Sequence, residues 1–191
     1  MRHLVVMLKD PRPGRVKTRL GRDIGMVEAA WWFRHQSRAL IRRLEDPRWR
    51  LVLAVSPDTA RNKDWPAHLP RVAQGPGDLG ARMGRIFRST SRGPVVIIGA
   101  DIPGITPHHI TRAFRVLGNH DAVFGPAPDG GYWLIGMKRT ATPPVTLFHG
   151  VRWSSPNALA DTRASLPGLR IALIDELQDV DTAADLALIS R

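Results

Sequence analysis

Five basic side chains, Lys9, Arg12, Arg15, Lys17 and Arg19, fall in one short segment shaped by Pro11, Pro13 and Gly14. Phosphate groups are recognised by such a set: backbone N–H groups near a helix start, lysine as a point charge and arginine as a bidentate fork. A solvated basic loop has the same composition. The segment is not a Walker loop, because the Gly-Lys-Ser/Thr ending is missing, nor is it a Rossmann fingerprint. Further along, Asp101 follows an apolar run through Gly99 and Ala100. A hard divalent cation bound with phosphates commonly takes one or two protein carboxylates. A helix or turn cap is the plainer use of the same residue. Asp179 and Asp181 flank Val180, so on extended backbone they point the same way and suit a shared cation. Asp181 or Thr182 would equally serve to cap a last helix.

Two glycine-rich segments add to these groups. Asp129, Gly130 and Gly131 lead into Tyr132 and Trp133, where missing side chains allow a ligand close to the backbone. A plain hairpin looks similar. Gln74, Gly75, Gly77 and Asp78 approach a helix start, to contact a base or phosphate or merely to turn. The seven histidines show no metal-ligand spacing apart from the adjacent His108 and His109, which read as surface. No Gly-x-Ser-x-Gly elbow occurs, which argues against a serine hydrolase. The chain has no cysteine. That excludes disulfides, a thiolate zinc site, an iron–sulfur cluster and a cysteine nucleophile.

Such groups need elements to aim them. Residues 4–8 are a continuous apolar run ending in Lys9 and Asp10, the pattern of a buried strand. Over 27–44, apolar residues keep helical spacing with arginines opposite. Residues 51–55 and 95–98 again read as strands. Asp78 predicts the cap of a helix that turns Leu79, Met83, Ile86 and Phe87 inward. Thr106 and Pro107 start another helix, and Ser155 with Pro156 predicts a further one. Residues 122–124 and 132–135 are strands around the glycine-rich turn, and 171–174 is a strand. Thr182 and Asp185 have capping-box spacing before a short final helix. This alternation predicts a three-layer α/β domain with a mostly parallel sheet. Ligands bind such sheets beyond the carboxyl ends of the strands, where the charged and glycine-rich segments fall.

The length of 191 residues favours a single domain spanning 1–191. The apolar run at 4–8 is too short for a signal or membrane segment, so a cytoplasmic protein without a membrane partner is expected. A net charge of +11 first suggests nucleic acid. Residues 1–96 hold 20 Lys/Arg against 8 Asp/Glu, while 97–191 hold 8 against 9. Part of the excess, Arg34, Arg38 and Arg42 or Arg85, Arg88 and Arg92, is spaced as a solvated helix face. The balance suits a polyanionic ligand without identifying one.

The motifs gain specificity from their order. Lys9, Pro13-Gly14 and Lys17-Thr18-Arg19-Leu20 come first, then Gln74-Gly75, Gly77-Asp78-Leu79-Gly80 and Arg82-Met83. Ile98-Gly99, Asp101 and Pro103-Gly104 follow, then Gly125-Pro126, Asp129-Gly130-Gly131-Tyr132 and Gly136, then Trp153-Ser154 and Asp179, Asp181-Thr182. Over almost the whole chain this resembles the GT-A-like transferase family associated with radical-SAM proteins, within the nucleotide-diphospho-sugar transferase superfamily. The first loop is also similar to that of 2-phospho-lactate guanylyltransferases. The resemblance implies a nucleotide-binding α/β domain, a nucleotide or nucleotide-sugar donor, a small-molecule acceptor and Mg²⁺ or Mn²⁺. It places Lys9, Gly14, Arg15, Lys17, Thr18 and Arg19 at the donor phosphates and Gly75, Gly77 and Asp78 near the nucleotide. Asp101 would hold the metal, and Gly130, Gly131, Tyr132 and Trp153 would face the acceptor. GT-A enzymes usually carry an Asp-x-Asp pair, but position 99 is glycine here. Asp181 is expected to join Asp101, with the part of Asp179 left open.

The leading expectation is a metal-dependent, glycosyltransferase-like enzyme using a nucleotide-diphosphate-sugar donor. Asp129 would be the base for the acceptor hydroxyl, and Lys17 would act on the donor phosphates. The alternative is a nucleotidyltransferase, in which a phosphorylated acceptor attacks an NTP and releases pyrophosphate. The density of the basic loop favours that alternative, because a triphosphate needs more cations. A basic nucleic-acid-binding protein is disfavoured by the absence of an RNP, zinc-finger or recognition-helix signature and of an aromatic stacking platform.

Overall fold

The computed structural model describes residues 1–60 and 63–189. An interior strand, β1 (His3–Lys9), carries an apolar run buried on both faces. Leu4, Val6 and Leu8 enter one core cluster with Phe33, Leu40 and Leu44, while Val5 enters the other with Met83 and Phe87. This two-residue alternation makes one strand serve both layers. β1 pairs in parallel with β2 (Arg50–Ser56) and with β4 (Val95–Gly99). A short β3 (Arg71–Ala73) pairs in parallel outside β2. On the other side lie β5 (Ala122–Pro126), β6 (Tyr132–Met137) and β7 (Ile171–Leu173). The order is β3-β2-β1-β4-β6-β5-β7, with β6 antiparallel to both neighbours. The sheet is mixed and mostly parallel.

Helices cover both faces. α1 (Thr18–Ile24) and α2 (Met26–Leu44) are split at Gly25, whose φ of +102° suits glycine. α2 lays Phe33, Leu40, Ile41 and Leu44 on one face of the sheet together with α4 (Pro107–Val116). α3 (Leu79–Ser89) and α5 (Ala158–Ala164) cover the other, and α6 (Ala183–Ile189) closes the described chain. Asp78 caps α3, accepting from the Ala81 N–H at 2.8 Å, and Thr106 with His109 forms a capping box on α4. The helix predicted from Ser155 and Pro156 begins only at Ala158, because the Ser155 hydroxyl accepts from the Asn157 N–H in a local turn. Among the described residues no helix is long and apolar enough to cross a membrane.

After β1 the chain moves outward to β2 and β3, then returns to the other side of β1 as β4. The carboxyl ends of β1 and β4 therefore diverge into a crevice at the reversal of strand order. Lys9 and Gly99 end these two strands.

Candidate active site

The crevice is organised around Lys17. This residue stands just before α1 with φ 45° and ψ 47°, a left-handed conformation uncommon outside glycine, and its side chain is only 6% exposed. The strained backbone aims the ammonium at two carboxylates, Asp101 Oδ2 at 2.6 Å and Asp181 Oδ1 at 2.7 Å. Burial lowers the Lys17 pKa, but Asp101 and Asp181 outweigh it and hold the ammonium above its ordinary value. Arg19 reaches the other oxygen of Asp181 at 3.1 Å.

Asp101 follows the carboxyl end of β4, whereas Asp179 and Asp181 come from the segment after β7. Val180, fully buried between the two aspartates, donates its N–H to the Asp101 carbonyl at 3.3 Å. One segment is thus pinned against the other, and the alternation of extended backbone turns both aspartates toward Asp101. Oxygens of Asp101, Asp179 and Asp181 all lie within 4.8 Å of one another. Three hard oxygen donors at that spacing fit a divalent cation of the Mg²⁺ or Mn²⁺ type. Burial first, then the charge of Asp181, pushes the Asp179 carboxyl up to about 6, while Lys17 draws it down and Asp101 and Asp129 add to the rise. Asp185 holds this arrangement from α6, accepting from the Asp181 and Thr182 N–H groups at 3.0 and 2.8 Å. The segment therefore both caps α6 and supplies the cleft.

Around the cluster opens a cleft of about 880 Å³, bounded by Lys9, Thr18 and Arg19 on the β1 side and by Asp129 opposite. Gly77 and Asp78 line it from the loop before α3, and Arg82 projects from the first turns of that helix. Asp129 accepts from the Gly131 N–H at 2.9 Å, which orients it within its own turn. The structure thus gathers Lys9, Lys17, Thr18, Arg19, Gly77, Asp78, Asp101, Asp129 and Asp181 around one cleft, with Asp179.

Other expected residues sit elsewhere. Arg15 lines a neighbouring groove of about 440 Å³ with Lys9, Arg12 and Arg82. Gly14 turns that loop with φ +71°. Gly75 donates its N–H to Asp58 at 2.9 Å rather than lining the cleft. Arg85, expected on a solvated face, bends back to the Gln74 and Pro76 carbonyls, and Arg82 Nε donates to the Gly77 carbonyl at 2.9 Å. The loop 74–77 is clamped by arginine forks from α3, because its carbonyls otherwise lack donors. Sequence reasoning assigns neither Arg82 nor Ser155 a place in the site; Arg82 appears in the motif order after the Asp78 cap with no role given to it, and Ser155 only as a helix start.

A second chamber, of about 300 Å³, adjoins the cleft between α3, α5 and the sheet. Asp101, Asp129, Asp179 and Ser154 belong to both spaces. Gly131, Tyr132 and Trp153, expected at the acceptor, line this chamber. Gly130 instead packs on the Pro156 backbone with φ +82°, leaving no room for a Cβ.

The fold and cleft define the class: a three-layer α/β protein built like nucleotide-diphospho-sugar transferases and cytidylyltransferases. The chain belongs to the family of uncharacterized proteins conserved in bacteria (DUF2064), whose profile matches residues 39–155. It is 32% identical to a candidate nucleotide-diphospho-sugar transferase of Desulfovibrio desulfuricans G20, covering 100% of this chain and 86% of that one with a TM-score of 0.89. Rv0371c of Mycobacterium tuberculosis H37Rv is 16% identical over 99% of this chain and 97% of that chain, with a TM-score of 0.60, and is also known as a complex with manganese. The 2-C-methyl-D-erythritol 4-phosphate cytidylyltransferase of Thermus thermophilus is 15% identical over 98% and 97% of the two chains, with a TM-score of 0.55. These two likenesses bear on the fold alone. No curated protein matches the chain in sequence.

Proposed function

We propose that the chain is a metal-dependent transferase that moves a sugar from a nucleotide-diphosphate donor to a hydroxyl acceptor. One observation carries the reading: a cluster of three carboxylates shares a cleft with Lys9, Lys17, Arg19 and Arg82 at the reversal of strand order. The Desulfovibrio relative, a candidate nucleotide-diphospho-sugar transferase, supports it. Lys9, Lys17 and Arg19 bind the donor phosphates by charge-assisted hydrogen bonds. Asp101, Asp179 and Asp181 would hold Mg²⁺ or Mn²⁺, which would supply neutralisation of charge on the leaving diphosphate. Asp129 lies on the border between cleft and chamber, the position of a base that takes the acceptor proton.

A second reading is nucleotidyl transfer, in which an acceptor phosphate attacks the α-phosphate of an NTP and pyrophosphate leaves. The basic groove beside the cleft, with Lys9, Arg12, Arg15 and Arg82, favours it by offering further cations. Products separate the two readings. Nucleoside diphosphate released from a nucleotide sugar with Mn²⁺ is the expected outcome. Under general-base catalysis Asp129→Asn then lowers turnover by roughly 10²–10⁴-fold with donor affinity nearly unchanged. Pyrophosphate from an NTP, with no transfer from any nucleotide sugar, would overturn the first reading in favour of the second.

A further inference from the structure

We infer that the acceptor is an uncharged alcohol carrying an apolar body of one or two rings, seated in the chamber between α3, α5 and the sheet. This inference rests on the sugar-transfer reading above. The chamber's volume, about 300 Å³, is roughly twice the ~150 Å³ apolar cavity that takes up benzene in an engineered protein. Leu79 and Met83 of α3, Ile97 and Ile135 of the sheet, and Trp153 form its walls. Gly80 lets Trp153 close one side, since a Cβ there would lie 2.7 Å from the indole.

Three polar tips of the remaining lining are committed elsewhere. Tyr132 turns its hydroxyl to Thr162 Oγ1 at 3.3 Å, and Trp133 donates its indole N–H to the Asp175 carbonyl at 2.9 Å. The Ser155 hydroxyl donates to the Arg152 carbonyl at 2.7 Å. Apart from Ser154 and the aspartates, most of the lining is ring surface and aliphatic carbon, which favour an apolar body. The charged lining is of one sign. Asp101, Asp129 and Asp179 stand at the chamber, and among the described residues no Lys, Arg or His lines it. A phosphate or carboxylate on the acceptor would meet the Asp129 carboxylate and no cation of the chamber's own lining, because Lys17, 2.6 Å from Asp101, lines the cleft instead, an arrangement that desolvation makes costly.

A hydroxyl meets no such penalty, because it donates to Asp129 while its skeleton stays among the walls. The acceptor O–H bond breaks as the oxygen bonds the anomeric carbon, and the proton passes to an Asp129 oxygen. The anomeric C–O bond to the diphosphate breaks, and the nucleoside diphosphate leaves with that electron pair. Atoms and charge balance without a redox partner.

The test compares 2-phenylethanol, 2-phenylethyl phosphate and glycerol on the full chain, by saturation-transfer NMR for binding and by product mass for transfer. At least tenfold tighter binding of 2-phenylethanol than of either comparator is expected, with at least a tenfold loss in Trp153→Ala. Leu79→Lys, at a position 45% exposed and therefore tolerant of a cation, provides a second variant. It should weaken the alcohol and strengthen the phosphate ester. Tighter binding of the phosphate ester to the wild-type chain would overturn the inference. Alcohol binding that produces transfer from a nucleotide sugar upholds both readings. Alcohol binding with no transfer from any nucleotide sugar upholds the chamber's chemistry and counts against the sugar-transfer reading. Transfer to the phosphate ester alone does the reverse.

Discussion

Three carboxylates surround one buried ammonium in the cleft, so the site holds more negative charge than the fold alone can favour. Asp179 bears the excess, its carboxyl pushed up to about 6 by burial and then by Asp181. A carboxyl raised above its unfolded value of about 3.9 stabilises the fold when protonated. That contribution is full below the unfolded value and is lost as pH rises through about 6. Asp179→Asn should therefore stabilise the metal-free protein at pH 8 by about 1–2 kcal/mol and at pH 5 by about half as much. Urea denaturation at the two pH values checks this, and an equal gain at both would remove the charge argument. Asp101→Ala should leave the fold intact, because the residue is only partly buried beyond a strand end, while abolishing Mn²⁺-dependent nucleotide binding. Unchanged metal dependence in a thermal-shift titration would count against its assignment. Asp101 and Asp181 were legible from a strand end and a two-residue alternation. The part of Asp179 was not, because it depends on how the segment after β7 packs against Asp101.

Local rules read well wherever an element is specified by its own residues. The cap at Asp78, the start at Thr106 and Pro107, and the buried runs of β1, β2 and β4 follow directly from pattern and capping chemistry. β3 did not announce itself, since Val72 and Ala73 are exposed and pairing with β2, rather than an apolar run, makes this segment a strand. Arg85 misled in the same way: its spacing suits a solvated face, but the carbonyls of 74–77 recruit it. The capping box on α4 gives an element-scale prediction. His109 Nδ1 accepts from the Thr106 N–H at 3.1 Å, so the cap requires a neutral ring. Burial sets its pKa below the ordinary 6.5 against an upward pull from Asp175, with His108 and then Arg112 adding to the lowering. The stability it contributes is present above about 6.5 and is lost as pH falls through the lowered folded value. His109→Gln keeps an acceptor at this position and should flatten the acid side of the stability profile by about 1 kcal/mol or less. Identical pH slopes for the two proteins between pH 7 and 5 would show that the cap does not sense protonation.

Across the whole molecule, the +11 charge and the divided sheet make opposing claims about what the protein binds. A diffuse positive field attracts any polyanion and is weakened by salt, whereas a cleft at the reversal of strand order concentrates a few cations on one ligand. The two accounts differ in where a charge matters. Lys9 and Arg19 are exposed on the cleft wall, so Lys9→Ala with Arg19→Ala removes phosphate donors without opening the core. Each charge-assisted bond lost should cost roughly 1.5–3 kcal/mol of nucleotide affinity. Arg38 and Arg42 lie on α2 outside the cleft lining, and Arg38 faces Asp64 at 3.6 Å. Arg38→Ala with Arg42→Ala removes the same formal charge and should change nucleotide affinity by well under 1 kcal/mol at physiological salt. Calorimetric titration of both double variants, at low and at physiological ionic strength, decides between them. Equal losses that vanish with added salt would transfer the binding to the overall field and make a nucleic acid the better ligand. A loss confined to the cleft pair, persisting in salt, assigns the excess charge of the first half of the chain to a nucleotide held at the ends of β1 and β4.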